Sequence, residues 1–113
     1  MVIRIWRGWT RVEDAAAYRD YMTRVALPAY AGADGNIAVY MTHRHDGERE
    51  EFAMITVWES IDAVRRFAGD DPEQAVFYPD DDVYLVDREW TVRHYDVYGS
   101  HIPPAPGTAT SEH

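Results

Sequence analysis

The chain contains neither cysteine nor lysine, and these two absences remove several classes of chemistry. Without cysteine there are no disulfides, no thiolate metal ligands and no thiol nucleophiles. Without lysine all 11 basic side chains are arginines, which excludes Schiff-base catalysis and the lysine of a phosphate-binding loop. The glycine patterns of a Rossmann nucleotide site and of a hydrolase nucleophile elbow are also missing.

Positive charge is scarce and long apolar runs are missing. The formal net charge of −9 argues against a nucleic-acid partner, because phosphate would be repelled. No stretch approaches the roughly 20 apolar residues of a membrane-spanning helix. Arginines interrupt the N-terminal segment where a signal peptide would be apolar. We therefore expect a cytoplasmic protein without a membrane partner.

A chain of 113 residues predicts one domain. We place this domain at residues 1–98. The remainder, 99–113, is rich in proline and polar residues and is expected to be a disordered tail.

The apolar pattern predicts the element order β-α-β-β-α-β. The predicted strands are 2–10, 36–45, 49–59 and 87–99, and the second and third are joined by a turn at Asp46-Gly47. The first predicted helix, 11–27, is capped by Thr10 and Glu13 and stopped by Pro28. The second, 61–68, lies between Ser60 and Gly69. A short helix from Pro72, closed by Pro79, and a further turn within 80–86 precede the last strand. This order predicts an α+β, ferredoxin-like fold: a four-stranded antiparallel sheet with both helices on one face.

Four stretches resemble the antibiotic biosynthesis monooxygenase (ABM) domain family of the dimeric α/β-barrel superfamily. They are "IRIWRGWT", "TVWES", "DAVRRFAG" and "VRHYDV", and the resemblance covers residues 2–98. It implies a cavity between the sheet and its helices. It also implies oxygenation of an electron-rich phenol or hydroquinone, aromatic or polyketide-like, without a cofactor.

The resemblance transfers to individual residues only in part. It implies that Trp58 is a pocket tryptophan. Met54 and Val64 stand where the quinone-forming members have an asparagine and a tyrosine, and Phe67 stands where the heme-degrading members have a histidine ligand. One polar contact of the three in the quinone-forming members therefore remains.

Two histidines are candidates for a general base. His94 shares a strand face with Asp96, and a carboxylate two positions along can orient an imidazole ring. His43 lies farther from the hairpin turn than His45, so it is the better placed of those two to reach a cavity. His43 and His45 could share a metal ion, but no third ligand is evident, so no metal site is predicted.

Arg7 and several aromatic residues complete the predicted site. Arg7 stands among apolar neighbours, so its charge needs either a protein carboxylate or a bound anion as a partner. Trp9 and Met54 are predicted to hold an aromatic ring together with Trp58. Tyr78 and Tyr84 are placed to close over the cavity, although packing alone would also explain them.

These residues lead to a hypothesis of cofactor-independent oxygenation of a small aromatic ligand. The base, His94 or His43, would remove a phenolic proton, and Arg7 would stabilise the anion. Two other functions stay open: a non-oxidative cyclase or isomerase on the same fold, and a small-molecule-binding module without turnover.

We predict a homodimer, because the strands are apolar on both sides and the helices can cover only one face of the sheet. Light scattering at micromolar concentration should give the mass of two chains, and the mass of a single chain would contradict the prediction.

Overall fold

The computed structural model describes residues 1–102, and the larger part of the predicted tail, 103–113, lies outside the described residues. One antiparallel sheet has its helices on one face, which confirms the predicted ferredoxin-like plan. None of the helices within 1–102 is long and apolar enough to cross a membrane.

The sheet has five strands rather than four. The elements are β1 (Val2–Arg11), α1 (Ala15–Ala31) after a short 3-10 turn (Val12–Asp14), β2 (Asn36–Asp46), β3 (Arg49–Trp58), α2 (Ile61–Ala68), α3 (Asp81–Tyr84), β4 (Leu85–Arg88) and β5 (Arg93–Asp96). The strand order is β2-β3-β1, and both β4 and β5 pair with the remaining side of β1.

The predicted last strand is divided into β4 and β5 because Trp90 and Val92, which lie between them, form backbone hydrogen bonds with residues 73–75. The Ala75 N–H donates to the carbonyl of Trp90, and the Val92 N–H donates to the carbonyl of Glu73. Residues 73–78, which we call the strap, therefore run beside this interruption. The same bonds explain why the short helix predicted from Pro72 is wrong: the Ala75 N–H and the Glu73 carbonyl, which a helix would use internally, pair with the chain at 90–92.

The central strand β1 separates two environments. Residues Val2, Arg4, Trp6, Gly8 and Thr10 are buried under the helices, whereas the alternating residues Ile3, Ile5, Arg7 and Trp9 face the opposite, outer side and are half-buried. On the core face, Trp6, Phe52, Met54 and Trp58 pack against Tyr18, Met22, Ala26 and Tyr30 of α1. The outer face carries no helix among the described elements.

The predicted limits of α2 and of the hairpin are confirmed. The Ser60 hydroxyl accepts a hydrogen bond from the Ala63 N–H at 3.2 Å, and Gly69 ends the helix with a φ of 106°. Gly47 has a φ of 62° in the hairpin turn, a conformation that glycine adopts without strain.

The prediction for the first helix is wrong at both ends. Thr10 belongs to β1 and its hydroxyl donates to the carbonyl of Arg11, so it does not cap a helix. At the other end the helix continues through Pro28 to Ala31. Proline removes the donor for the carbonyl of Arg24, but both residues are exposed, so water can replace that bond.

Replacing Gly35 by alanine should destabilise the protein more than the same change at Gly47. Both glycines have positive φ, 84° and 62°, so each alanine should cost about 1 kcal/mol or more in backbone strain. At Gly35 the new Cβ would also lie 2.5 Å from the Cβ of Ala63, whereas at Gly47 it meets nothing within 4 Å. Overpacking should add about 1–3 kcal/mol at Gly35, measured by urea unfolding. Equal losses for the two variants would contradict this packing argument.

Candidate active site

An apolar pocket of about 200 Å³ lies between α1 and the β2–β3 hairpin. Its walls are Arg19, Met22 and Thr23 from the helix, Met41, Thr42 and His43 from β2, and Phe52 and Met54 from β3. Two of the predicted site residues, His43 and Met54, therefore line the same pocket. Arg19, Thr23 and His43 are exposed, so the pocket has a polar mouth above an apolar floor.

Strand register places the two sheet walls side by side. His43 is opposite Phe52, and Met41 is opposite Met54, so these four side chains share the core face of the sheet. Met22 of α1 is buried against this surface. The pocket is lined by sulfur-containing and aromatic groups that adapt to a flat ring.

His43 is held by a carboxylate. Its Nδ1 lies 2.5 Å from Oε2 of Glu50, a side chain that is only 11% exposed. The hydrogen bond from His43 holds the pKa of the Glu50 carboxyl below its usual value, against the effect of burial. An ionised Glu50 that accepts the Nδ1 proton leaves the Nε2 lone pair free to act as a base.

The orienting carboxylate was not predicted, although a signal for it exists in the sequence. A tight turn at Asp46-Gly47 sets His45 opposite Glu50, and this register puts His43 on the same face at a diagonal position. His45 does approach Glu50, with Nδ1 and Oε1 3.5 Å apart. The strand register of the predicted hairpin would therefore have identified His43 and Glu50 as neighbours from the sequence.

Arg19 is the second group that sequence reasoning missed. Its Nη1 lies 3.5 Å from Nε2 of His43 at the pocket mouth. Arg19 is an exposed residue of α1, and nothing in its local sequence distinguishes it from other surface arginines. Only the packing of α1 on the hairpin brings it to the histidine.

His94 lies outside this pocket, on the core face beside Arg4. The two residues are directly opposite in the β1–β5 register. Nε2 of His94 is buried and has no hydrogen-bond partner within residues 1–102. Burial, followed by the positive charge of Arg4, lowers the pKa of His94, so its ring favours the neutral form. Asp96, the predicted orienting group, is exposed and forms no side-chain hydrogen bond with His94 in this part of the chain.

The two predicted lid tyrosines pack elsewhere in the core. Tyr84 contacts Tyr18 and Tyr21, with ring centroids 5.6 and 5.8 Å away. Tyr78 ends the strap, and its N–H donates to the buried carboxylate of Asp81 at 2.8 Å. Asp81 also accepts from the Tyr18 hydroxyl at 3.0 Å, so it anchors the end of the strap to α1. Burial raises the pKa of this carboxyl above its usual value.

Trp58 is fully buried in the core and is not among the residues that line the pocket. Its indole N–H donates to the Thr56 hydroxyl at 2.8 Å. The ring also packs on Phe67, with centroids 5.2 Å apart.

Arg7 and Trp9 lie on the outer face of the sheet, away from His43. The Arg7 guanidinium pairs with Glu89 at 2.9 Å, and the hydrogen bonds that it donates to this carboxylate raise the pKa of Arg7. The partner of Arg7 is thus a protein carboxylate, one of the two partners expected. Trp9 lies between the guanidinium groups of Arg7 and Arg49 and donates its indole N–H to Asp46 at 3.2 Å.

No metal centre is apparent in the part of the chain that the structure describes. Within 1–102 no group of three histidine or carboxylate side chains is arranged to hold an ion.

Imidazole ¹⁵N chemical shifts should show that the neutral ring of His43 carries its proton on Nδ1 and leaves Nε2 unprotonated. The change Glu50→Gln should mix the two tautomers, because an amide can donate as well as accept. His101, which is exposed, serves as the internal control and should be unaffected. An Nε2 proton on His43 in the unmodified protein would show that Glu50 does not orient it.

Two solved structures have the same fold as this chain. A candidate antibiotic biosynthesis monooxygenase from Bacillus cereus superimposes with a TM-score of 0.63 at 16% identity, covering 90% of this chain and 97% of that one. A mutant of MhuD, with two manganese protoporphyrin IX molecules per active site, gives a TM-score of 0.59 at 16% identity, covering 91% and 100%. The chain matches no protein-family profile and no curated protein sequence. At this identity the likeness concerns the fold, and it confirms that the chain has the ferredoxin-like fold of antibiotic biosynthesis monooxygenase proteins.

Proposed function

We propose that the protein is a cofactor-independent monooxygenase of a small phenol or hydroquinone, with His43 as the base. The observation that carries this proposal is the hydrogen bond between His43 and Glu50 at the wall of an apolar pocket. A histidine that donates its Nδ1 proton to a buried carboxylate and keeps Nε2 unprotonated is the arrangement that proton abstraction needs.

The size of the pocket restricts the substrate. An apolar cavity of about 150 Å³ can hold benzene, and the pocket here measures about 200 Å³. It therefore accommodates one substituted aromatic ring. A larger polyketide would have to leave its remaining rings outside the mouth.

The proposed reaction uses the substrate as its own reductant. Nε2 of His43 takes the phenolic proton, and the phenolate then transfers an electron to dioxygen. Recombination of the radical pair forms a carbon–oxygen bond, and the resulting peroxide anion takes the proton back from His43. The hydroperoxide then loses water, together with the hydrogen of the oxygenated ring carbon, and gives a quinone. One oxygen atom of dioxygen enters the product and the other leaves as water, so no external electron donor is required.

Arg19 supports the anion in this scheme. Its guanidinium lies 3.5 Å from Nε2 of His43 and forms no ion pair with a carboxylate in residues 1–102. A donor at this position would stabilise a phenolate next to the base. General-base catalysis raises the reaction rate by about 10²- to 10⁴-fold. The intrinsic reactivity of the substrate must therefore supply much of the remaining rate.

A porphyrin does not fit the residues at the position that the family resemblance implies for its ligand. Phe67 has no ligand atom, and its ring packs against Tyr30 at 4.7 Å and Trp58 at 5.2 Å. We therefore derive no step through heme.

A non-oxidative isomerisation or cyclisation is the second candidate. Met54, which lines the pocket, and Val64 occupy positions where the family resemblance implies polar reactive residues. A reaction that needs only proton transfer by His43 would not require polar residues at these positions. A binding module without turnover would use the same pocket with His43 as a hydrogen-bond donor or acceptor.

The outer face of the sheet supports the proposed homodimer. Tyr40 and Tyr95 are 58% and 52% exposed there, and they flank the half-buried Ile3, Ile5 and Val57. A second copy placed on this face would bury these side chains.

Oxygen uptake with a panel of single-ring hydroquinones tests the proposed reaction. The change His43→Asn should lower kcat by about 10²- to 10⁴-fold, because the base is lost. The matched control His101→Asn changes an exposed residue outside the pocket and should leave kcat unchanged.

Other outcomes separate the competing proposals. Product formation without oxygen uptake would favour the non-oxidative reaction, and binding without product would favour the ligand-binding module. Loss of turnover in His94→Asn but not in His43→Asn would contradict the assignment of the base.

A further inference from the structure

Arg4 is a buried arginine without a carboxylate partner. Nine of the 11 arginines form ion pairs with aspartate or glutamate within residues 1–102, and the two that do not are Arg4 and Arg19. Arg19 is exposed to water, but Arg4 is only 2% exposed. Its Nη2 donates to the carbonyl of Gln74 at 2.7 Å. That neutral acceptor satisfies one donor without balancing the charge.

Three buried side-chain atoms in residues 1–102 have no hydrogen-bond partner, and all three lie in this region. They are Nε of Arg4, the hydroxyl oxygen of Tyr78 and Nε2 of His94. His94 is directly opposite Arg4 in the sheet. Tyr78 belongs to the same strap as Gln74, whose carbonyl accepts from Arg4, and its ring lies 6.4 Å from that of the buried Tyr30. The positive charge of Arg4 acts to lower the pKa of both His94 and Tyr78, although burial raises the pKa of Tyr78 overall.

The donors in this cluster define the chemistry of a ligand. An arginine Nε–H can only donate, a tyrosine hydroxyl can donate, and a neutral histidine donates from Nε2 in one of its tautomers. An uncompensated cation in the protein interior is costly, and a carboxylate or similar oxyanion both accepts from these donors and balances the charge. We propose that Arg4, Tyr78 and His94 form a binding site for a small anion of the carboxylate class.

The existing carboxylates do not fill this role. Glu73 is close enough to act on the pKa of His94, but it is exposed and forms no ion pair with Arg4. Asp81 already accepts from Tyr18 and from the Tyr78 N–H. An anion from solution is therefore the partner that completes the cluster.

This site is separate from the proposed oxygenase pocket, because the two share no residue. It also connects the strap to the sheet. Tyr78 and Gln74 belong to the strap, whereas Arg4 and His94 belong to β1 and β5. A bound anion would thus hold the strap on the core face and slow amide exchange at Ala75 and Val92.

Titration of the wild-type protein with formate tests the proposal. The Nε–H signal of Arg4 in a ¹H–¹⁵N spectrum should shift in a saturable way as the hydrogen bond forms. Sodium gluconate, whose anion is too large for a buried site, keeps the ionic strength constant. A lack of any saturable shift with formate, acetate, bicarbonate and phosphate would overturn the proposal and leave ordered water as the partner of these atoms.

Matched variants assign the response to the cluster. Formate should raise the melting temperature of the wild type and of Arg24→Met, an exposed control, but not that of Arg4→Met. Tyr78→Phe should weaken formate binding about tenfold or more, because one hydrogen bond to the anion is lost. Unchanged affinity in Tyr78→Phe would overturn the site, and this result does not depend on whether Arg4→Met folds.

Two further titrations complete the test. If benzoate displaces formate, the site binds the carboxylate group of an aromatic compound. If formate binds and benzoate does not displace it, the site binds a small free anion. Both results support the site. His43→Asn should bind formate like the wild type, so failure of the oxygenase proposal and failure of the anion site can be distinguished. Loss of formate binding in His43→Asn would contradict two independent sites.

Discussion

The position of β1 at the centre of the sheet determines on which face its candidate side chains lie. Because β1 pairs on both sides, its side chains must alternate strictly between a face covered by helices and an outer face. Arg4 and Trp6 are consequently buried, while Arg7 and Trp9 are directed outward. A shift of register by one residue would exchange these sets and bury the Arg7–Glu89 pair instead.

Charge pairing explains which arginines are available for function. The protein has an excess of carboxylates, and most of its arginines are neutralised by them. Within residues 1–102, the two that form no ion pair are Arg4, beside buried polar atoms without a hydrogen-bond partner, and Arg19, beside Nε2 of His43. In a protein with a formal charge of −9, an arginine without a carboxylate partner is a better indicator of an anion-binding site than a paired one. Its positive charge is not already neutralised by a carboxylate of the protein.

The packing of aromatic side chains determines which part of the interior stays open as a pocket. Trp58, Phe67 and Tyr30 fill the region beside α2, and Trp6 contacts Phe77 of the strap. The open volume lies instead beneath α1, where Met22, Met41 and Met54 meet. The family resemblance correctly indicated the fold, but side-chain volumes in this particular chain place the pocket next to His43.

Local sequence determined most of the secondary structure, since the Ser60 cap, the Gly69 stop and the Asp46-Gly47 turn act through neighbouring atoms. It failed at Thr10 and in the segment after Pro72, where bonds to distant parts of the chain outweigh local preference. It failed also at Pro28, where the exposed carbonyl of Arg24 can bond to water and the helix continues. Histidines and arginines could be recognised as candidates from the sequence. Which groups come to lie beside them depended on the tertiary structure, because Glu50 reaches His43 across a hairpin and His94 lies opposite Arg4 only after β5 pairs with β1.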